Sequence, residues 1–391
     1  MKKKYVNFIL ILSIFLLISG LFGYKAKAFA VESDKFEYKS KCCYMIDYNS
    51  GTEILKHNEN EKRPIASMCK IMTLLLCFES IDKSEIDVNE KIVVSENASS
   101  MGGSQIFLEN GGEYVINELI KGIVVASAND ACVAMAERIC GSEDNFVNLM
   151  NEKAKSLGME NTNFVNCTGL PKPGQHSSAK DVAIMFSELI KHQKYYEYSK
   201  IWMDKIQHPK DRFTEISNTN KLIRFYKGCD GGKTGYTSES GHCLSATATR
   251  NGMRLISVVI SSPDSKSRFK EVSDMFNYGF ANYTNKRIID TETPLDVDVT
   301  VKGGRKEQVK VVSEKDVYIF SRKEEKCDVE ITFEPIKKVK APIKKGEILG
   351  KLYVLNKGVV ISECNIVSGE NIDKTTYFDN IYRIIGNWSI N

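Results

Sequence analysis

The spacing of hydrophobic residues changes near residue 286, and this change constrains the fold more than any other feature of the chain. Before it, apolar residues recur with helical spacing, most clearly over residues 116–124. After it, apolar and polar residues alternate over residues 295–302 and 327–334, which is typical of strands with one buried face. A chain of 391 residues is long enough for two domains. We therefore predict an α/β domain followed by a small β-sandwich or barrel, with the boundary near residues 284–292.

Two hairpins are predicted within the first domain. One joins residues 43–46 to residues 52–55. The other joins residues 243–249 to residues 255–260 through an Asn-Gly pair at 251–252, the strongest short-range hairpin signal. Antiparallel strands and helices therefore occur together in this domain, which places it in the α/β (α+β) class.

Residues 1–30 have the composition of a secretory signal peptide. Three lysines follow the initial Met, an apolar stretch runs from Val6 to Phe22, and residues 26–28 match a small-x-small cleavage pattern. An uncleaved anchor is the alternative, because the apolar stretch is nearly long enough to span a bilayer. Cleavage would remove five lysines and no acidic residue, so the formal net charge would change from +4 to −1. A nearly neutral mature protein gives no reason to expect a nucleic-acid partner.

The eleven cysteines are predicted to be mostly small buried apolar residues rather than a disulfide framework. Their number is odd, and most lie in apolar stretches with helical or strand spacing. The chain contains no Cys-x-x-Cys pair, and its five histidines are scattered, so a zinc site is not expected. No metal or other cofactor is predicted.

A serine and a lysine three residues apart, Ser67 and Lys70, stand at the start of an apolar run that continues to Leu76. Pro64 before them and the apolar run after them predict that Ser67 lies near the start of a buried helix. Residues i and i+3 share one helix face, so the Lys70 amine would point at the Ser67 hydroxyl. A serine becomes a nucleophile when a base takes its proton, and a lysine with a lowered pKa can be that base. Ser-x-x-Lys alone also occurs by chance in most long chains.

Two further motifs follow in the sequence. Ser127 and Asn129 flank one alanine at the end of the helical apolar face, where both residue types also suit a plain helix boundary. Lys233-Thr234-Gly235 precedes the second hairpin and is predicted on or beside an antiparallel strand. Glycine there lets a ligand approach the backbone, although a glycine-rich loop before a hairpin is the simpler interpretation.

The three motifs in this order, in a chain with an export signal, are the signature of penicillin-binding proteins and serine β-lactamases. Over nearly its whole length the chain resembles the serine-type D-alanyl-D-alanine carboxypeptidases among the low-molecular-mass penicillin-binding proteins. Residues 63–67, 166–170 and 176–181 add to the resemblance. It implies a catalytic domain at 31–285, in which helices flank an antiparallel sheet and form a helical subdomain. A β-rich C-terminal domain at 290–375 would follow.

The resemblance implies roles in an acyl transfer. Ser67 would attack the carbonyl of the terminal D-Ala-D-Ala bond, with Lys70 as general base. Repulsion from the Lys233 ammonium would lower the pKa of Lys70, which we expect to be the more buried of the two lysines. Ser127 would pass a proton to the departing D-alanine. The backbone N–H groups of Ser67 and Tyr236 would form the oxyanion hole.

The other motif residues are implied to bind the substrate. Asn129 would hold the peptide amide, and Lys233 and Thr234 would bind the terminal carboxylate beside Gly235. The chain departs from the family pattern in two places. Tyr236 stands where many members have histidine, and alanine rather than the common glycine separates the serine and asparagine of the second motif. Neither change removes a functional group that the reaction needs.

The implied partners are peptidoglycan stem peptides ending in D-Ala-D-Ala, during cell-wall synthesis and remodelling, and β-lactam antibiotics as covalent inhibitors. The protein would be exported and act in the cell wall, outside the cell or at the outer face of the cytoplasmic membrane. Residues 376–391 have the spacing of a short amphipathic helix with an aromatic-rich face. Such a helix can lie in a membrane interface or pack on the β-rich domain.

Three alternatives stay open at this point. A class A-like β-lactamase shares the three motifs but needs a glutamate for deacylation, and Glu160 is one residue away from the expected spacing. A D,D-endopeptidase or transpeptidase shares the chemistry and differs in the bond cut or the acceptor. A catalytically idle cell-wall-binding protein is the third, although all of the motif side chains are present.

Overall fold

The structure is a computed structural model that describes residues 36–209, 211–325, 329–377 and 379. The predicted signal peptide and most of the predicted tail helix lie outside these residues. No helix within the described ranges has the length and apolar character needed to cross a membrane.

The described chain divides into two compact units. The larger unit contains Ser33–Lys286 and Ile319–Glu325, and the smaller contains Arg287–Tyr318 and the described part of Lys326–Asn391. Besides its strands and α-helices, the larger unit has a short 3₁₀ turn at Ala66–Cys69 and a π-helical turn at Gly122–Ala126. Its strands are β1 (Cys42–Asp47), β2 (Glu53–His57), β3 (Lys91–Val93), β4 (Glu113–Val115), β5 (Met203–Gln207), β6 (Phe213–Ser217), β7 (Cys229–Thr237), β8 (Gly241–Arg250), β9 (Met253–Ser262) and β10 (Tyr283–Ile289), which extends beyond Lys286. Its α-helices are α1 (Lys70–Asp82), α2 (Glu96–Ser99), α3 (Ile116–Lys121), α4 (Asn129–Cys140), α5 (Glu143–Ser156), α6 (Ala179–Leu189), α7 (Tyr195–Ser199), α8 (Leu222–Phe225) and α9 (Ser265–Asn282).

The main sheet of the larger unit has five antiparallel strands in the order β2-β1-β9-β8-β7. Both predicted hairpins are confirmed, since β1 pairs with β2 and β8 pairs with β9. Helices α6 and α9 pack on this sheet, and α1 packs on α4 and α6. The result is an antiparallel sheet flanked by helices, as the sequence predicts, and it places β7 at one edge of the sheet.

The predicted apolar helix face is confirmed. Ile116, Leu119, Ile120, Ile123 and Val124 are all buried. The first three belong to α3, and the last two belong to the π-helical turn that follows it. This wider turn brings the chain to the start of α4, where the second motif lies.

The smaller unit is built from strands, as predicted. Its largest sheet has four strands in the order β12-β17-β16-β14, and β11 pairs with β15 in parallel. Its strands are β11 (Thr300–Lys302), β12 (Val311–Ser313), β13 (Val317–Arg322), of which the last residues belong to the larger unit, β14 (Val329–Pro335), β15 (Lys338–Lys340), β16 (Ile348–Asn356) and β17 (Val359–Ser368).

The strand predicted over residues 295–302 is shorter than expected. Only Thr300–Lys302 forms a strand, although Val299 and Val301 are buried as the alternation requires. The backbone N–H of Val297 donates to the carbonyl of Leu295, and this local turn interrupts the ladder. Alternation therefore identified the buried face correctly but overestimated the length of the strand.

The cysteines behave as small buried residues, as predicted. In the part of the chain that the structure describes, ten are free thiols and all but Cys140 are buried. Several, including Cys69 and Cys132, lie in the helical core next to the first motif.

Candidate active site

Ser67 and Lys70 are in hydrogen-bond contact. Ser67 lies in the 3₁₀ turn Ala66–Cys69 and Lys70 is the first residue of α1, so the serine precedes the α-helix rather than belonging to it. Side chains three residues apart are nearly superposed in a 3₁₀ turn. The Lys70 Nζ therefore lies 3.1 Å from the Ser67 Oγ, although the helix type differs from the prediction.

The turn that carries Ser67 is fixed by close contact with two glycine backbones. Ala66 has a φ of 47°, a left-handed conformation that is unfavourable for alanine. A Cβ on Gly169 would lie 2.0 Å from the Ala66 carbonyl oxygen, and a Cβ on Gly235 would lie 2.6 Å from the Ile65 oxygen. Neither position has room for a side chain. The surroundings thus hold the serine in a strained turn, as is common at functional sites.

A carbonyl oxygen provides the second contact of Lys70. The Nζ donates to the Thr168 oxygen at 2.5 Å, and the side chain is fully buried. The Asn166 Oδ1 accepts hydrogen bonds from the backbone N–H groups of Thr168 and Gly169, which sets the direction of that carbonyl. The segment around Thr168 therefore orients the lysine amine toward the serine.

Ser127 and Asn129 lie in the break between the π-helical turn and α4. Ser127 has a φ of 63°, and its Oγ is buried without a hydrogen-bond partner among the described residues. The Asn129 Nδ2 donates to the Gly102 oxygen at 2.7 Å, and its Oδ1 is buried and likewise without a partner there. Unpartnered buried polar atoms are costly and call for an explanation, and a bound substrate is one.

Asp130 fixes the loop that contains Ile106 and Leu108, which lies beside the second motif. Its carboxylate accepts hydrogen bonds from the backbone N–H groups of Ile106 and Leu108, and burial raises its pKa. The Asn129 backbone N–H donates to the Ser104 oxygen at 2.7 Å. The sequence analysis did not identify Asp130 as part of the site, although it directly follows the second motif.

The third motif lies in strand β7, as predicted. Lys233 and Thr234 are buried, and Gly235 contacts the nucleophile turn, since a Cβ there would lie 3.3 Å from the Ser67 nitrogen. Tyr236 is 60% exposed and its ring stacks on the His242 ring, with centroids 4.4 Å apart. The first and third motifs thus meet at the edge of the main sheet.

Both lysines of the site have a lowered pKa. At Lys70 the main cause is burial rather than the repulsion from Lys233 that the sequence analysis expected. Burial also lowers the pKa of Lys233 well below its usual range, and the Lys70 and Arg268 charges add to this shift. Lys70 is 0% exposed and Lys233 is 2% exposed. Burial therefore hardly separates the two amines, and the order in which they lose their protons, with Lys70 first, stays a prediction.

Arg268 is a residue of the site that the sequence analysis missed. It lies on α9 and is buried, and its Nη1 donates to the Gly235 oxygen at 2.9 Å and to the Cys243 oxygen at 3.2 Å. These bonds hold β7 and β8 together behind the third motif. No motif surrounds Arg268 in the sequence, so only its hydrogen bond to Gly235 in the fold reveals it.

Glu160, the residue weighed for a β-lactamase, is exposed in the turn after α5. The buried carboxylates near the motifs are engaged elsewhere, Asp130 with the loop and Asp181 with the Asn161 backbone N–H and the Thr162 hydroxyl. Among the described residues, no glutamate forms a hydrogen bond to Ser67 or Lys70.

Two known family profiles together match most of the chain. One is described as D-alanyl-D-alanine carboxypeptidase and matches residues 27–264. The other is described as Penicillin-binding protein 5, C-terminal domain, and matches residues 283–374.

Several characterised proteins are similar over nearly their whole length. D-alanyl-D-alanine carboxypeptidase DacF of Bacillus subtilis is 38% identical over 384 residues, which covers 97% of this chain and 98% of the relative. DacC of Escherichia coli is 31% identical, covering 93% of this chain and 92% of the relative. The crystal structure of penicillin binding protein 5 from Haemophilus influenzae superposes with a TM-score of 0.72 at 30% identity, over 87% of this chain and 99% of that one.

A shorter protein resembles the larger part of the chain. The structure of a mutant of the Streptomyces K15 DD-transpeptidase superposes with a TM-score of 0.60 at 25% identity, over 63% of this chain and all of that one. Taken with the two family profiles and the full-length relatives, the arrangement of the motifs leads to one assignment. The chain belongs to the family of D-alanyl-D-alanine carboxypeptidases, serine hydrolases of the low-molecular-mass penicillin-binding protein group.

Proposed function

We propose that the chain removes the terminal D-alanine from peptidoglycan stem pentapeptides through an acyl-enzyme on Ser67. The observation that carries this proposal is the 3.1 Å contact between the Lys70 Nζ and the Ser67 Oγ, at a lysine whose pKa is lowered by burial. Its family consists of enzymes that act on D-Ala-D-Ala and bind β-lactams. The geometry of the site supports the roles proposed below for the individual residues.

Acylation begins with Lys70 in its neutral form. The amine takes the Ser67 proton as the Oγ attacks the carbonyl carbon of the penultimate D-alanine. The bond to the Thr168 oxygen keeps the amine beside the serine whether or not it carries the additional proton. The oxyanion that forms would be held by the backbone N–H groups of Ser67 and Tyr236, which the close contact of Gly235 with the turn brings near each other.

Ser127 and Asn129 act on the leaving group and on the peptide. The free Oγ of Ser127 is suited to pass a proton to the amine of the departing D-alanine, and the proton that Lys70 took from Ser67 replaces it. Water then releases the shortened peptide from the Ser67 ester. The Asn129 Nδ2 is occupied by the Gly102 oxygen, so its Oδ1 is left to accept the N–H of the substrate peptide. Both assignments use atoms that have no partner in the described protein.

Lys233 and Thr234 bind the terminal carboxylate of the substrate. A carboxylate next to Lys233 favours the charged amine, which offsets the effects of burial and of the Lys70 charge. Bound substrate thereby keeps Lys233 protonated while Lys70 is neutral. The substrate itself supplies the electrostatic difference between two lysines that are otherwise equally buried.

The reaction is tested by incubating the purified protein with a peptide that ends in D-Ala-D-Ala and measuring the masses of the products by mass spectrometry. We expect loss of one alanine, and labelled penicillin should attach to the tryptic peptide that contains Ser67. Ser67→Ala should abolish both. Ser80→Ala, which changes a buried serine on α1, is the matched control and should leave both intact. Labelling that survives Ser67→Ala would contradict the proposal.

A D,D-transpeptidase is the second candidate, because the Streptomyces K15 DD-transpeptidase superposes on the larger part of the chain. The same incubation with an added amino acceptor separates the two. A carboxypeptidase releases mainly the shortened peptide, whereas a transpeptidase yields mainly the peptide joined to the acceptor. Crosslinked dimeric peptides in a third incubation test for endopeptidase cleavage.

The location and domain limits are proposed with the function. Residues 1–30 are a cleaved signal peptide, 31–285 the catalytic domain, 290–375 the β-rich domain and 376–391 an anchor at the outer face of the cytoplasmic membrane. The composition of the first segment and the amphipathic spacing of the last support this arrangement. N-terminal sequencing of the exported protein should begin at Phe29 or Val31, and a start at Met1 would mean an uncleaved anchor.

A further inference from the structure

A cavity of about 480 Å³ lies at the turn between β8 and β9. Among its lining residues are Arg250 at the end of β8 and Lys323, and no carboxylate lines it. At the other end of β8, Leu244 pairs with Thr234 of the third motif. Six residues of strand separate Leu244 from Arg250, about 20 Å at the usual rise per residue. The cavity is therefore distinct from the site around Ser67.

The Arg250 side chain is fixed in an orientation that leaves its two Nη atoms free to donate hydrogen bonds. Its guanidinium carbon lies 4.5 Å from the centroid of the Tyr226 ring and 4.9 Å from that of the Phe280 ring. Its Nε donates to the Lys227 oxygen at 3.1 Å. Cation–π contact and this hydrogen bond fix the plane of the guanidinium group. Neither Nη atom has a hydrogen-bond partner within the described ranges, so both remain free to donate.

Two further donors face the same cavity. The Lys323 Nζ donates to the backbone oxygen of Phe280 at 2.8 Å, the residue whose ring supports Arg250. The Asn277 Oδ1 accepts the Tyr226 hydroxyl proton at 2.9 Å, which leaves the Asn277 Nδ2 as a donor. Neither Arg250 nor Lys323 forms an ion pair with any residue that the structure describes. The cavity thus combines two unpaired positive charges with an oriented amide.

We propose that this cavity binds a phosphate group. Two cations and an amide donor on three separate elements suit a tetrahedral oxyanion, whereas a carboxylate has too few oxygens to use all of them. The guanidinium fork matches two phosphate oxygens, and the lysine ammonium acts as a point charge on a third. Such a site, about 20 Å from the motif in β7, would bind a ligand other than the scissile peptide.

Titration of the full-length protein with inorganic phosphate and with glycerol 3-phosphate tests the proposal, with binding followed by calorimetry. We expect saturable binding that weakens with salt and is roughly tenfold weaker in Lys323→Gln, the loss of one charge-assisted contact. Lys155→Gln removes one positive charge from an exposed position on α5 and should change the affinity less than twofold. Acetate should bind at least tenfold more weakly than phosphate.

Arg250→Gln is the second variant and should weaken phosphate binding at least as much as Lys323→Gln. Because Arg250 also packs on two rings, penicillin acylation of Ser67 serves as the folding control for each variant. Vesicles of phosphatidylglycerol, compared with phosphatidylcholine, distinguish the source of the phosphate. If the protein binds phosphatidylglycerol vesicles and this binding depends on Lys323, the ligand is a lipid headgroup. If it binds phosphate but neither kind of vesicle, the ligand is a soluble phosphate compound. Equal affinity in Lys323→Gln, Lys155→Gln and the unchanged protein overturns the proposal.

Discussion

The chemistry of the site depends on two buried amines, of which that of Lys70 contacts Ser67. Lys70 must be neutral to accept a proton, and Lys233 must be charged to attract a carboxylate. Burial lowers the pKa of each, and the Lys70 charge further lowers that of Lys233. The contacts rather than the burial therefore distinguish their roles.

The first prediction exchanges each lysine for arginine. Lys70→Arg should reduce acylation by labelled penicillin by about 10²–10⁴-fold, because arginine stays protonated and cannot act as the base. Lys233→Arg keeps the charge and should retain a measurable fraction of penicillin acylation, with a larger loss on the D-Ala-D-Ala peptide. The opposite pattern, near-normal acylation in Lys70→Arg and none in Lys233→Arg, would mean that the two roles are reversed.

The second prediction is a bell-shaped pH profile of penicillin acylation. The rate should rise with pH as Lys70 loses its proton and fall as Lys233 loses its own. Because both pKa values are lowered, both limbs should lie below the ordinary lysine value of about 10.4. In Lys233→Arg the alkaline limb should disappear, since arginine does not titrate in this range. An alkaline limb that is unchanged in this variant would assign it to another group.

At the scale of elements, the position of Ser67 results from a loop and a strand pressed against one 3₁₀ turn. Gly169 and Gly235 come from different parts of the chain, and each leaves no space for a Cβ. A side chain at either position would have to displace backbone atoms of the turn. The exact position of Ser67 thus depends on two glycines, which carry no functional group.

The third prediction tests this packing with Gly169→Ala. Its φ of 81° and the 2.0 Å approach of a Cβ to the Ala66 oxygen should displace the turn and reduce acylation about a hundredfold. Gly141→Ala is the control, because Gly141 has a φ of 76° but nothing within 4 Å of its Cβ. It should cost about 1 kcal/mol of stability and leave acylation unchanged. Equal loss of acylation in both variants would show that backbone strain alone is responsible.

At the scale of elements, some features of the site could be predicted from the sequence and others could not. Side-chain motifs with fixed spacing predicted Ser67, Lys70 and Lys233 as site residues, together with the buried helix that begins at Lys70 and the strand that carries Lys233. The contact of Lys70 with the Thr168 oxygen was not predictable, because every residue has a carbonyl and only the fold selects one. Arg268 was missed for a related reason, since its partners are also backbone oxygens on distant strands. The turn type at Ser67 likewise depends on tertiary packing rather than on local propensity.

At the scale of the whole molecule, the chain combines a catalytic unit with a smaller unit that carries none of the three motifs. The end of the described chain is tied to this smaller unit. The Thr375 N–H donates to the Gly303 oxygen at 2.9 Å, and Asp379 pairs with Arg305 at 3.2 Å. An exposed ion pair of this kind contributes little to stability. Loss of this pair alone should therefore cost the smaller unit little stability.

The last prediction uses the contacts of Thr375 and Asp379 to design two truncations that test the proposed anchor. Truncation after Thr375 should move the protein from the membrane fraction to the soluble fraction without loss of D-Ala-D-Ala cleavage. Truncation after Asp379 keeps the pair with Arg305 but still removes the apolar side chains at 381, 384, 385 and 388, so it should release the protein equally. If both truncated proteins aggregate, or melt several degrees lower, those side chains pack on the smaller unit instead. If both remain in the membrane fraction, the attachment lies elsewhere in the chain, and the N-terminal apolar stretch becomes the segment to remove next.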